Sequence, residues 1–297
     1  MNEPRDLLAR FLLSRCGVRG VLVKLGDAWQ QIRGRADYPP QLAELLGQAT
    51  AAAALFAGHV KVNGRLSVQL KGDGALRTLF ADCNSAGQLR GIALWQPPLP
   101  DTLGMRDLGG GAVLAITIEQ QRSSRGEPTR YQGLVALEGE RLQHAFERYF
   151  DQSEQLPTRL LLAAGDAQAA GLLLQQLPGE AGDPDGWTRA QALFDTLGER
   201  ELLATDSATL LRRLFHEEDL QMLSERGLAF GCSCSRERVG AMLLSLGHDE
   251  ALAALDAARG NVEVTCEFCN ATYRFDTVDL EQLFAGGGSA PASGAAH

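Results

Sequence analysis

The chain has 297 residues, with 28 Lys or Arg against 37 Asp or Glu and a formal net charge of −9, enough length for one large core and a smaller module. Its basic side chains are almost all arginine, with lysine only at Lys24, Lys61 and Lys71, and an acidic chain is a poor binder of polyanions. It starts Met-Asn-Glu-Pro-Arg-Asp without the basic and apolar regions of an export signal, and no apolar run approaches the roughly 20 residues of a membrane span, so a cytoplasmic, non-membrane protein is expected.

In chain order, strand-like and helix-like stretches alternate from Cys16 to Pro178. Residues 21–24, 65–70, 112–118 and 160–162 read as strands, and Leu66, Val68 and Leu70 alternate as one buried face. Asn63-Gly64 favours a tight hairpin, and Gly72-Asp73-Gly74 marks another turn. Helices are expected over the Ala-rich residues 41–56 and over 137–150. Residues 1–178 are thus expected to form an α+β domain, a substantial sheet with helices packed on it.

Residues 178–186 discourage regular structure and mark a boundary. Beyond it Trp187, Ala190, Leu193, Phe194 and Leu197, then Leu210, Leu211, Leu214 and Phe215, recur at helical spacing, punctuated by Gly198 and Thr205-Asp206. Helices of two or three turns are marginal in water, so residues 179–230 read as a metastable helical linker that folds only when docked. Residues 183–230 carry ten acidic and five basic side chains, so the segment stays soluble if released.

Residues 231–285 read as a small domain of two helices and a hairpin. Ser235 caps a helix through Val239, Met242, Leu243 and Leu246 to Gly247, and a second helix spans about 249–258. Val262 and Val264, then Tyr273 and Phe275, alternate as a hairpin. Residues 286–297 are Gly, Ser, Ala and Pro without an apolar pattern and are expected to be disordered.

The small domain holds four of the six cysteines, Cys232-Ser-Cys234 and Cys266-Glu-Phe-Cys269, separated by 31 residues. Two such pairs supply the four thiolates of one tetrahedral Zn2+ site. Each pair is also close enough along the chain to close as a local disulfide. The spacing therefore admits a static structural zinc site or a redox switch, and much less readily four separate buried thiols. Cys16 and Cys83 carry no such pattern and read as buried packing residues.

Other chemistry is largely absent. No Gly-Lys dipeptide, G-x-S-x-G elbow or H-E-x-x-H is present, and Gly109-Gly110-Gly111 precedes a strand, the wrong order for a dinucleotide site. The five histidines are scattered, and His248, though inside the small domain, is not needed where four cysteines complete a tetrahedron. No enzyme is expected. Between residues 230 and 284, four Arg face nine Asp or Glu, the wrong balance for a nucleic-acid module.

The residues Phe230-Gly-Cys232-Ser-Cys234-Ser-Arg-Glu-Arg238, followed by Val264-Thr-Cys266-Glu-Phe-Cys269 and Tyr273-Arg-Phe275, resemble the redox-regulated bacterial heat-shock holdases, the zinc-silenced thirty-three-kilodalton heat-shock protein family. The likeness extends to residues 149–158, 171–178 and 214–218, and to residues 69–74, where Ala75 follows in place of the family's Pro. It runs from about residue 11 to 284. The resemblance implies an ATP-independent chaperone, inactive while reduced Cys232, Cys234, Cys266 and Cys269 bind one Zn2+. Oxidation would form the Cys232–Cys234 and Cys266–Cys269 disulfides with loss of the metal. The small domain and linker would then unfold, and the protein would dimerise and hold unfolding clients through residues 1–178 under oxidative and heat stress. The alternative is a static zinc-stabilised nucleic-acid or protein interaction module without switching. Energetically, structural zinc supplies on the order of 10–16 kcal/mol, comparable to the about 5–15 kcal/mol net stability of a whole domain.

Overall fold

The computed structural model describes residues 5–60, 63–120, 129–135, 137, 141–179, 183–255 and 260–286. The expected disorder of residues 286–297 falls, from 287 onward, outside the described residues, as do residues 138–140 and 256–258 of two expected helices. The chain divides into two compact units between Gly231 and Cys232. No helix among the described residues is long and apolar enough to cross a membrane.

The large unit runs β1 Leu7–Leu13, β2 Val18–Leu25, α1 Asp27–Arg33, α2 Pro40–His59, β3 Gly64–Lys71, β4 Leu76–Asn84, β5 Gln88–Trp95, a 3-10 turn Met105–Leu108, β6 Val113–Gln120 and β7 Thr129–Val135. It continues α3 Leu142–Ser153, β8 Thr158–Ala164, β9 Ala169–Gln176, α4 Gly186–Phe194, α5 Glu199–Ala204, α6 Ser207–Phe215, β10 Leu220–Gly227 and β11 Ala229–Phe230. Two sheets result, with strand orders β10-β1-β2-β9-β8 and β11-β5-β4-β3-β6-β7. Every pairing is antiparallel except β11 on β5.

Helix α2 packs against strands of both sheets, which explains its composition. Its alanines favour helix, Pro40 suits the first turn, and a helix apolar on nearly all sides must be buried on nearly all sides. The small side chains also set the spacing: a Cβ on Gly47 would lie 2.5 Å from the Cβ of Ala164. As the alternation predicts, Leu66, Val68 and Leu70 of β3 are buried.

A second core lies on the other face of the five-stranded sheet. Ala9, Phe11, Leu13, Leu22, Leu172 and Leu174 are covered there by Ala190, Phe194, Leu202, Leu210, Leu211 and Phe215 of α4 to α6. Strands β2 and β9 are buried almost end to end, as strands with cover on both faces must be. The linker's helical part is thus docked, with Phe215 stacked on Phe11 at a ring-centroid distance of 6.0 Å.

Two expectations need correction. Asn63-Gly64, read as a tight hairpin, instead leads from α2 into β3. Residues 220–227, read as part of a helical linker, form β10, paired with β1 from Leu7↔Gly227 to Leu13↔Leu220. Asp219, at φ 54, turns the chain out of α6. Without β10 the outer backbone groups of β1 would lack this ladder, a deficit that weighs more than local helix preference.

The small unit contains α7 Arg236–Leu246, α8 His248–Ala253, β12 Asn261–Thr265, β13 Thr272–Asp276 and α9 Thr277–Gly286 around Val239, Leu243, Ala251, Val262, Phe275 and Leu280. To the two helices and hairpin expected from sequence it adds α9. That helix starts on reciprocal caps: Asp279 N donates to Asp276 Oδ1 (2.7 Å) and Asp276 N to Asp279 Oδ2 (3.1 Å).

Candidate metal centre

Cys232 and Cys234 lie on the extended segment leading into α7. Ser235 caps that helix, accepting from Arg238 N at 3.3 Å, and Arg238 Nη1 donates back to Ser233 O at 2.9 Å, closing the loop around the first pair. Cys266 and Cys269 occupy the turn between β12 and β13. There Asn270 N donates to Cys266 O (2.8 Å) and Cys266 N to Ala271 O (2.9 Å), while Asn270 sits at φ 57. Asn tolerates that left-handed conformation better than most side chains.

Arg236, at the start of α7, ties the helix that follows the first cysteine pair to β13 and α9. Its guanidinium lies 4.3 Å from the Phe275 ring centroid, donates to Arg274 O at 2.6 Å and pairs with Asp279 at 2.8 Å. Folding thereby brings all four sulfurs within 4.8 Å of one another. Cys232 Sγ is 3.6 Å from Cys266 Sγ, and Cys234 Sγ is 3.2 Å from Cys269 Sγ.

A tetrahedron of thiolates at the Zn–S distance of about 2.3 Å has edges of about 3.8 Å, so the four sulfurs fit a single soft or borderline metal ion. Among the described residues no other group of three or more potential ligands is assembled this way. His248 is engaged elsewhere, 3.4 Å from Glu281 and edge-on to Phe284.

Proton affinities within the cluster are unequal. Burial pushes the Cys234 thiol up, but hydrogen bonds from the Tyr273 hydroxyl and the neighbouring thiols outweigh it and bring it down to about 7. Burial, together with donation to Cys234, pushes Cys269 up to about 12, and burial raises Cys232. One thiolate is therefore sustained by its neighbours' protons, and a full set of four needs a cation to hold it. The donor missed in the sequence is Tyr273, whose hydroxyl reaches Cys234 Sγ at 3.1 Å. Its place four residues after Cys269, on a strand leaving the cysteine turn, was the available signal.

Cys16 and Cys83 stand in the large unit, both buried. Burial pushes each up to about 12. Cys83 fills the main core, whereas Cys16 donates to the Glu218 carboxylate at 2.9 Å, a contact the reading as simple packing did not contain.

Three comparisons place this arrangement among known proteins. A family model described as Hsp33 protein matches residues 6–276. The 33 kDa chaperonin of Chromobacterium violaceum is 42% identical over 284 residues, covering 96% of this chain and 95% of its own. That of Ectopseudomonas mendocina is 42% identical over 298 residues, covering 98% and 99%. The crystal structure of the 33 kDa chaperonin (heat shock protein 33 homolog) from Thermotoga maritima matches with a TM-score of 0.79 at 21% identity, over 95% of this chain and 98% of that one, and so shares the fold.

Proposed function

The chain belongs to the Hsp33 family of chaperones, and from that premise we propose that it is a redox-regulated, ATP-independent holdase of the cytoplasm. Reduced Cys232, Cys234, Cys266 and Cys269 hold one Zn2+ and the protein is silent. When bound, the ion would offset two of the four negative charges and tie the two cysteine loops into one fold. Under peroxide the cysteines surrender four electrons in two steps, each thiolate pair forming one S–S bond while one H2O2 takes up two electrons and two protons from solvent and leaves as two waters. The products are the Cys232–Cys234 and Cys266–Cys269 disulfides, which no longer supply thiolate ligands.

The observation that carries this reading is the convergence of the four sulfurs within 4.8 Å, in a unit whose own core amounts to a few aliphatic side chains and Phe275. So small a core cannot hold a fold by itself. Cys232 follows directly on Gly231, whose N–H donates to Leu89 O of β5 at 2.8 Å. Loss of the small unit's fold leaves the short linker helices with little beyond their packing on the sheet. Their departure bares the apolar face of Phe11, Leu22, Leu172 and Leu174, a surface for unfolding clients and for a second oxidised copy.

Zinc content and suppression of client aggregation, measured before and after peroxide at elevated temperature, test the proposal. One zinc and no protection when reduced, then no zinc and strong protection when oxidised, is the expected pair of results. Zinc retained through oxidation, or protection unchanged by it, points to a static zinc-stabilised module and overturns the switch.

A further inference from the structure

The docked linker closes on itself over the turn between β1 and β2. At its start, Asp183 N donates to Arg15 O at 3.1 Å. At the end of α6, Arg15 Nη1 donates to Glu217 O at 2.9 Å. Arg189 of α4 joins the two ends: it pairs with Asp183 at 2.7 Å and holds both oxygens of Glu218, each at 3.0 Å. Cys16 lies inside this ring, its side chain donating to Glu218 Oε2 at 2.9 Å. The approach is close: a Cβ on Gly186 would lie 2.6 Å from the Cα of Cys16.

We propose that Arg189, by bridging Asp183 and Glu218 across the β1–β2 turn, is the catch that holds α4 to α6 on the five-stranded sheet, and that its opening is what exposes Cys16. The inference rests on the reading above of the linker as the element released, and adds a holding contact separate from the metal centre. The Glu218 side chain is 6% exposed. A carboxylate so buried needs its two-pronged, charge-assisted contact, because removing the cation leaves an uncompensated charge in the interior. Helices α4, α5 and α6 are 9, 6 and 9 residues long, too short to persist once detached. Since Arg189 joins the first and last of them, the linker leaves as one piece or not at all. Cys16 is 3% exposed while it is docked.

The test is alkylation of Cys16 by iodoacetamide in the reduced, zinc-loaded, full-length protein, followed by peptide mass mapping. Cys83, in the main core, serves as the internal control, and zinc is measured in parallel. Arg189→Gln is the decisive variant because two effects on Cys16 have opposite signs. Removing a nearby positive charge disfavours the thiolate and by itself slows alkylation; opening the linker accelerates it. The expected result is Cys16 labelling faster by roughly tenfold or more, as the open population rises, with Cys83 still protected and one zinc still bound. Arg189→Lys, which keeps the charge but gives up the two-pronged contact, should fall between the two. Cys16 as slow as in the parent protein in both variants overturns the proposal. So does Cys83 becoming reactive together with Cys16 in both, which would mean that Arg189 holds the whole unit. Because the measurement is made on reduced protein, failure of the redox reading would appear separately, as a parent protein that peroxide does not activate.

Discussion

The Tyr273 hydroxyl is a side-chain donor from outside the cysteine set, 3.1 Å from Cys234 Sγ. Partners of this kind orient a ligand and steady its charged form, and losing one typically weakens metal binding by about 10–100-fold. Tyr273→Phe is therefore expected to lower zinc affinity about tenfold in competition with a chromophoric chelator, without unfolding the loaded protein. A different residue sets an acid limit on the large unit. His59 is buried and faces Arg19, whose Nη2 lies 3.0 Å from its Nε2. Arginine can only donate, so that ring nitrogen accepts and the imidazole is neutral. Burial first, then Arg19 and Arg10, pull His59 down to about 3 from its ordinary 6.5. Between those two values the unfolded chain takes up a proton that the folded one refuses. This contribution to stability is therefore complete above about pH 6.5 and is lost as the pH falls toward 3, with a slope approaching 1.4 kcal/mol per pH unit, as an order of magnitude. Urea midpoints at a series of pH values should show that loss in the parent protein and a flatter profile in His59→Gln.

Among the elements, the linker gains its order from its neighbours. Asp206 caps α6 by accepting from Thr209 N at 2.9 Å, and Lys24 of β2 donates to Leu202 O and Thr205 O at the C-terminal end of α5, where carbonyls otherwise lack partners. The apolar share falls on residues such as Phe215, fully buried against Phe11. Truncating a buried Phe to Ala removes about 3–5 kcal/mol, more than helices this short can lose and stay docked. Phe215→Ala should therefore bind a hydrophobic dye in the reduced state while keeping its zinc. No increase in dye binding would place the holding force elsewhere.

For the whole molecule, two units of unequal self-sufficiency share one chain. The large unit has two extensive cores, one on each face of the five-stranded sheet; the main one should stay folded by itself, whereas the second is closed by α4 to α6 and opens when they leave. The small unit has one minor cluster beside its four grouped sulfurs, and on the proposed reading depends on the metal they hold. Deleting residues 232–297 should leave a folded protein with partial or full aggregation suppression and no need of oxidant, followed by light scattering. If the truncated protein is silent while oxidised full-length protein protects, activity requires the disulfide-bonded small unit itself as a binding surface.

Much of this architecture was local enough to read from the amino-acid order. Cysteine pairing is a spacing, the alternation of Leu66, Val68 and Leu70 is a period of two, the alanines of α2 state a propensity, and Ser235 is a cap; each depends on residues a few positions apart. The sequence by itself thus determined the α+β class and the set of four cysteines placed so that they could hold a metal. Tertiary structure alone decided that residues 220–227 become a strand. Its side chains are mostly exposed and carry no buried face to recognise, and what makes it a strand is β1, more than 200 positions earlier in the chain. The same holds for the ring of Arg189, Glu218 and Cys16 and for Tyr273 against Cys234. Hydrogen bonds between distant residues leave no periodic trace in a sequence, because the partner that satisfies each group is chosen by packing.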